Sequence, residues 1–128
     1  MTEWTPQDLD RIGRAEELEI ASRRPDGTLR PFITIWVVRV GDDVYVRSAH
    51  GGTNPWFRRA IASGEGRITA GGIERDVAFE VIDAQDAATH AALDAAYHAK
   101  YDRYGAPVVD PVTDALSATA TIRLLPQD

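Results

Sequence analysis

The stretch RPFITIWVVRVGDDVYVRSAHGGTNPWFRR, residues 30–59, decides how this chain folds. Its first third, Arg30 to Val40, places apolar or β-branched residues on both faces, which predicts a strand covered on both sides and central in its sheet. Gly41-Asp42-Asp43 turns the chain into a third strand, where Val44, Val46 and Ser48 share one face and Tyr45 and Arg47 the other. After two glycines, Asn54 is suited to cap a helix and Pro55 to begin one, because a proline at the first helical position lacks an N–H that has no partner there anyway.

A helix amino terminus favours anions, and glycines without side chains let backbone approach a ligand closely. Arg58 or Arg59 can add a charge-assisted contact one turn further on. Local chemistry alone fits a plainer structure better: a loop, a capped helix, Trp56 or Phe57 in the core and arginines in solvent.

Outward from this stretch, Thr5-Pro6-Gln7-Asp8 predicts a helix over about 6–14, with Thr5 as cap and Asp8 near the positive end of the dipole. Residues 17–24 read as a first strand, and Pro25-Asp26-Gly27-Thr28 is the turn that makes a hairpin with the second. Arg67 to Ala70, Gly71-Gly72 and Ile73 to Asp83 form another hairpin. Residues 85–104 switch to helical composition, with Leu93, Tyr97, Tyr101 and Tyr104 on one stripe and Gly105 ending the helix. Pro107 to Ala115 is an irregular link or a short helical turn, and Ser117 to Leu125 is the last strand. Six strands in hairpins with interposed helices predict a mainly β, α+β fold: a six-stranded antiparallel barrel with flanking helices, in one domain over 1–128.

Composition narrows the function classes. Of 128 residues, 44% are apolar and 27% charged, which is ordinary for a globular chain. There is no apolar run of about 18 residues and no basic-then-apolar leader, so no membrane partner and a cytoplasmic location are expected. With no cysteine there is no disulfide, thiol catalysis or cysteine-ligated metal, and redox chemistry must come from a bound cofactor. The net charge of −6 conceals an asymmetry: residues 23–75 hold nine arginines against five acids, a local +4, and the rest of the chain carries −10. One basic segment in an acidic chain argues against nucleic acid, which wants a broad basic face, and for a small anionic ligand.

The succession GTLRPFITIWVV, DDVYVRSAHGG and NPWFRRAIASGEGRI resembles the split β-barrel flavin and deazaflavin oxidoreductases (FMN-binding split barrel, nitroreductase-like) over about residues 17–83. The tyrosine-bearing helix AAYHAKYDRYG and the terminal TATIRLLP extend the likeness to a small branch of that superfamily without an assigned activity. The resemblance implies a homodimer with its cofactor cleft between subunits, a deazaflavin or FMN cofactor, and hydride transfer to or from a small organic substrate. It also implies the cofactor contacts: Arg30, Pro31, Thr34 and Trp36 on strand two, Arg47, Ser48 and Ala49 on strand three, then Gly51, Gly52, Asn54, Trp56 and Arg59. On that reading arginines and glycine loop hold phosphate, and Trp36 or Trp56 walls the ring. Deazaflavin enzymes commonly read Arg-Asn-Leu where this chain has Arg59-Ala60-Ile61, so the cofactor stays unselected. The alternative is a barrel without the redox cofactor, serving as a small-ligand binder or dimeric scaffold.

Other constellations carry less. His90, Asp94 and His98 lie one turn apart in a row, but the two histidines are ~12 Å apart along the axis, too far to share an ion, so no metal site is expected. A solvent-facing polar row is the simpler reading, and the tyrosine stripe reads as packing with hydroxyls at the solvent edge. Ser48 and His50 lack a nucleophile elbow, and no catalytic residue is assigned.

Overall fold

A computed structural model describes residues 3–127, and the second strand is where it departs most from the sequence reading. That strand is not continuous. It breaks into β2 (Ile33–Ile35) and β3 (Val38–Val40), flanked by β1 (Leu18–Ser22) and β4 (Asp43–Arg47). With β5 (Glu65–Ala70), β6 (Ile73–Val81) and β7 (Thr121–Pro126), the sheet order is β2-β1-β5-β6-β7-β4-β3. Every neighbouring pair is antiparallel.

The strand expected at the centre therefore occupies both ends of the sheet. Only Trp36 and Val37 separate those ends, so the sheet has to curl round on itself, and the split barrel follows. The six expected strands count as seven because of this one break. Two side chains from the long helix hold the bend by satisfying the backbone groups that leave the ladder. The Tyr101 hydroxyl accepts from the Val37 N–H at 3.1 Å and donates to the Glu16 carbonyl at 2.8 Å, while Lys100 Nζ donates to the Val37 carbonyl at 2.7 Å.

Helix α1 (Pro6–Arg14) starts where its cap predicts, Thr5 Oγ1 accepting from the Asp8 N–H at 3.1 Å. Leu9 and Ile12 point inward from it to join Leu18, Ile20, Val44, Val46, Ile68, Ile122 and Leu124 inside the barrel. Helix α2 (Pro55–Ser63) adds Phe57 and Ala60 to the same core. The alternation expected in β4 is realised: Val44 and Val46 enter this core, and Tyr45 enters a second one outside the barrel. There Leu93, Tyr97 and Tyr101 of α3 (Ala87–Tyr101) are fully buried against Val38, Val109 and Val112. Burying side chains of this size stabilises by about 1.5–3 kcal/mol each, which explains why a long helix is retained over that face.

The α3 helix is shorter than expected, passing into a 3-10 turn (Asp102–Tyr104) before Gly105. The irregular link resolves into α4 (Ala106–Val109), a 3-10 turn (Asp110–Val112) and α5 (Ala115–Ala118). Asp114 caps α5 by accepting from the Ser117 N–H at 2.9 Å, which delays the last strand to Thr121. Among the described residues no helix is long and apolar enough to cross a membrane.

Candidate functional site

The glycine loop is built to hold itself. Ser48 is fully buried; its hydroxyl donates to the Gly51 carbonyl at 2.6 Å, and Asn54 Nδ2 donates to Ser48 Oγ at 2.8 Å and to the Ala49 carbonyl at 2.7 Å. Asn54 is the residue before α2, but its side chain makes no cap to the helix N–H groups. Gly51 needs its left-handed backbone (φ +91°) and packs beside Leu116, whereas Gly52 lies against the Phe57 ring. These glycines are determined by packing on α5 and α2.

Beside that loop lies a cleft of about 720 Å³ in which three separate elements converge. The end of β1 supplies Arg23 and Arg24, the approach to β2 supplies Arg30, and α2 supplies Arg58 and Arg59, with Glu65 as the one acid in the lining. The hairpin explains the first three. Asp26 accepts from the Thr28 N–H and hydroxyl, closing a turn that brings Arg24 and Arg30 back to one end, where the Arg30 N–H donates to the Ser22 carbonyl at 2.9 Å. Consecutive positions on α2 carry the other two.

Two of the five guanidinium groups are anchored. Arg23 bonds the Gly27 carbonyl at 2.8 Å and Asp76 at 3.2 Å, and Arg24 bonds the Leu29 carbonyl at 2.9 Å. Asp76 also pairs with Arg67 at 2.8 Å; that hydrogen bond first, and the charges of Arg67 and Arg23 after it, hold its carboxyl below the ordinary range. Among the described residues no carboxylate pairs with Arg30, Arg58 or Arg59, and Arg30 Nε is a buried donor without an acceptor. A cluster of like charges with unfilled donors is electrostatically matched to an anion with several oxygens, for which guanidinium groups offer bidentate contacts. A shallow recess continues from Arg30 and Arg59 to Pro31, Ile33 and Trp56, giving the charged cleft one apolar wall.

Residues 8–124 match the family described as an uncharacterized protein conserved in bacteria, DUF2255. The chain belongs to the DUF2255 family. No curated protein is similar to it in sequence. Its fold is shared with HutZ, a heme storage protein of Vibrio cholerae, at TM-score 0.64 and 13% identity over 98% of this chain and 92% of that one. It is shared with an FAD-binding protein of Mesorhizobium loti (0.57, 16% identity, 98% and 91% coverage). An F420 reductase aligns at 0.52 and 16% identity, covering 93% of this chain and 92% of the other. At these identities the likeness carries the split-barrel fold, and the three neighbours between them name three different ligands.

Of the residues that the family resemblance assigned, the DUF2255 structure brings Arg30, Pro31, Trp56 and Arg59 together at the cleft and its recess. It adds Arg58, which the helix start already offered beside Arg59, and Arg23 and Arg24, whose signal was the charge asymmetry of residues 23–75. Ser48, Ala49, Gly51, Gly52 and Asn54 do not line the cleft. Thr34 is exposed on β2. Trp36 stacks flat on Tyr101, centroids 4.0 Å apart and planes within 2°, with Tyr104 alongside at 5.6 Å.

Arg47 is buried and engaged elsewhere. Its Nε donates to Thr121 Oγ1 at 3.0 Å, Nη1 to Asp94 at 2.5 Å and to the Val112 carbonyl at 2.8 Å, and Nη2 to His90 Nδ1 at 2.9 Å. The expectation of a solvent-facing His90, Asp94, His98 row is thereby corrected: His90 and Asp94 turn inward to Arg47, and only His98 stays outside, with Asp102. Since a guanidinium only donates, His90 Nδ1 must bear the lone pair and Nε2 the hydrogen, which it donates to the Asp83 carbonyl at 2.9 Å. No metal-ligating group of three or more side chains occurs among the described residues.

The tyrosines also depart from expectation, because Tyr97 and Tyr101 are wholly buried and only Tyr104 reaches solvent. Burial, the largest cause for both, holds their hydroxyls well above the ordinary tyrosine range, and among the described residues the Tyr97 hydroxyl has no hydrogen-bond partner. A raised folded value stabilises fully below the unfolded pKa of about 10 and is lost as pH climbs beyond it. Phenolate absorbance from Tyr97 and Tyr101 is therefore expected only in one cooperative step with loss of helical circular dichroism. Ionisation of all four tyrosines ahead of that step would show that the hydroxyls reach water.

Proposed function

We propose that this DUF2255 protein binds a phosphate-bearing flavin-type cofactor, deazaflavin or FMN, at the arginine cleft and transfers hydride to or from a small organic substrate. The observation that supports it is the convergence of Arg30, Arg58 and Arg59, without acid partners, on an open cleft of small-molecule size. Those three would hold the phosphate, Arg23 and Arg24 would add field, and Pro31 and Trp56 would offer the flat apolar wall a ring requires. The cofactor supplies the hydride chemistry, and the protein's part is to bind, orient and exclude water. Exposed Phe32 and Ile61 are chain neighbours of residues that line the cleft and its recess, and a second copy of the chain would cover them in a cytoplasmic homodimer; sedimentation at the mass of one chain would remove that pairing.

One observation favours the rival reading, a ligand binder without redox chemistry: Tyr101 and Tyr104 already cover Trp36, so helix α3 fills the face of strand two that the resemblance gives to the ring. Separate titrations with deazaflavin and FMN, followed by tryptophan quenching, distinguish the two. Saturable binding of one is expected, and Arg59→Ala should weaken it by about 10- to 100-fold, the loss of a charge-assisted contact of ~1.5–3 kcal/mol. Unchanged affinity in Arg59→Ala overturns the phosphate assignment, and no binding of either cofactor passes the lead to the rival.

A further inference from the structure

A second cleft, of about 400 Å³, shares no lining residue with the first and lies between α1, β3 and α3. Its lining is made roomy by Gly13, Ala96 and Ala99, and it carries Lys100, the one lysine in the chain, together with Arg39. The absence of a side chain at Gly13 serves Arg39: a Cβ there would sit 3.3 Å from Arg39 Cδ, so the arginine stem lies directly along the helix backbone. Arg39 Nε donates to the Gly41 carbonyl at 2.8 Å, and no carboxylate among the described residues pairs with its guanidinium. Arg14 and Asp10, both also in the lining, pair with each other at 3.1 Å, and Asp10 is the one acid there.

Among the described residues Lys100 has no carboxylate partner either. Its Nζ rests on the Val37 carbonyl, 5.2 Å from the centre of the Tyr101 ring. The nearby acid, Glu16, is bound by Arg103 and Tyr104.

We propose that Lys100 is an imine-forming amine and that this cleft takes a small aldehyde or ketone bearing a carboxylate or phosphate, the anion held by Arg39. The Nζ lone pair forms a C–N bond at the carbonyl carbon, a proton passes from nitrogen to oxygen, and the resulting carbinolamine takes a proton from solvent on its hydroxyl and loses water to leave a protonated imine. Nothing is oxidised or reduced, and the step reverses by hydrolysis. Desolvation, more than any charge, brings the Lys100 ammonium down to about 8. Near pH 7.4 roughly a fifth of it is then the neutral nucleophile, against about a thousandth for an ordinary lysine.

Glyoxylate, a small anionic aldehyde, is the probe, with cyanoborohydride trapping of the full chain and peptide mapping. Lys100 is expected to be labelled saturably and about tenfold or more faster than N-acetyl-lysine in the same solution, and K100R, which keeps a cationic donor at this position, loses that label while its circular dichroism shows a folded chain. R39A is expected to raise the half-saturating glyoxylate about tenfold while leaving the rate with uncharged propionaldehyde unchanged. Labelling of Lys100 that is linear in glyoxylate and no faster than the free amino acid, or labelling at the amino terminus alone, overturns the site. An unchanged half-saturation in R39A overturns the anion recognition.

Discussion

Replacing Arg47 by methionine is expected to lower the thermal midpoint by about 10–20 °C, because several buried acceptors then lose their donor together. The guanidinium, wholly inaccessible, joins four places in the fold: Thr121 on β7, His90 and Asp94 on α3, and the Val112 carbonyl in the turn before α5. Methionine fills much of the volume but donates nothing. The Val112 carbonyl and His90 Nδ1 would stay dry and unpaired, at about 1–3 kcal/mol each. Asp94→Asn is the control. Its carboxylate side chain is 40% exposed, so removing the charge while keeping an acceptor should cost about 1 kcal/mol or less. Thermal unfolding followed by circular dichroism reads both. If Arg47→Met melts within a few degrees of the parent and loses cofactor affinity instead, Arg47 belongs to the binding site, as the family resemblance implies, and the buried network is not what holds α3.

Gly66→Ala is expected to be the most damaging change of a single methyl group. A Cβ on Gly66 would sit 2.0 Å from the Ala21 carbonyl oxygen and 2.8 Å from Phe79 Cζ. The ring can turn; the carbonyl cannot, because it belongs to β1 where Ala21 pairs with Arg67 and Ser22 with Gly66. A glycine inside a strand marks such a close approach of backbone. Relief requires parting β1 from β5, and a loss of about 3 kcal/mol or more is expected, at or beyond the upper end for overpacking. Since β1 delivers Arg23 and Arg24 to the cleft, hydrogen exchange of the β1 amides should quicken and cofactor affinity should fall with stability. Gly64→Ala, two residues earlier, is the comparison: its Cβ meets nothing within 4 Å, so only the left-handed backbone (φ +77°) opposes it, by about 1–2 kcal/mol. Equal losses in the two variants would refute the steric account.

Much of the architecture was legible where the signal is local. The start of α1 at the Thr5 cap, the start of α2 at Pro55 and the β5–β6 turn at Gly71-Gly72 stand where cap, proline and turn residues place them, although the Asn54 side chain bonds the glycine loop and not the helix. Each of those features is decided by backbone geometry within a few residues, so the sequence by itself determined the succession of elements and the basic character of residues 23–75. The bend at Trp36–Val37 was not legible, because it depends on Tyr101 and Lys100, more than sixty positions away, accepting and donating to the groups that leave the ladder. Nor was the inward turn of His90 and Asp94. Helical periodicity shows that a row is polar, but whether it faces water or a buried arginine depends on what the opposing strand presents. The candidate site divides in the same way: arginines in excess are visible in the composition, whereas the meeting of Arg23, Arg30 and Arg59 from a strand, a hairpin and a helix exists only once the sheet has curled. Side-chain chemistry is inherited from the chain, but burial and proximity, which set what that chemistry can do, are properties of the packed structure.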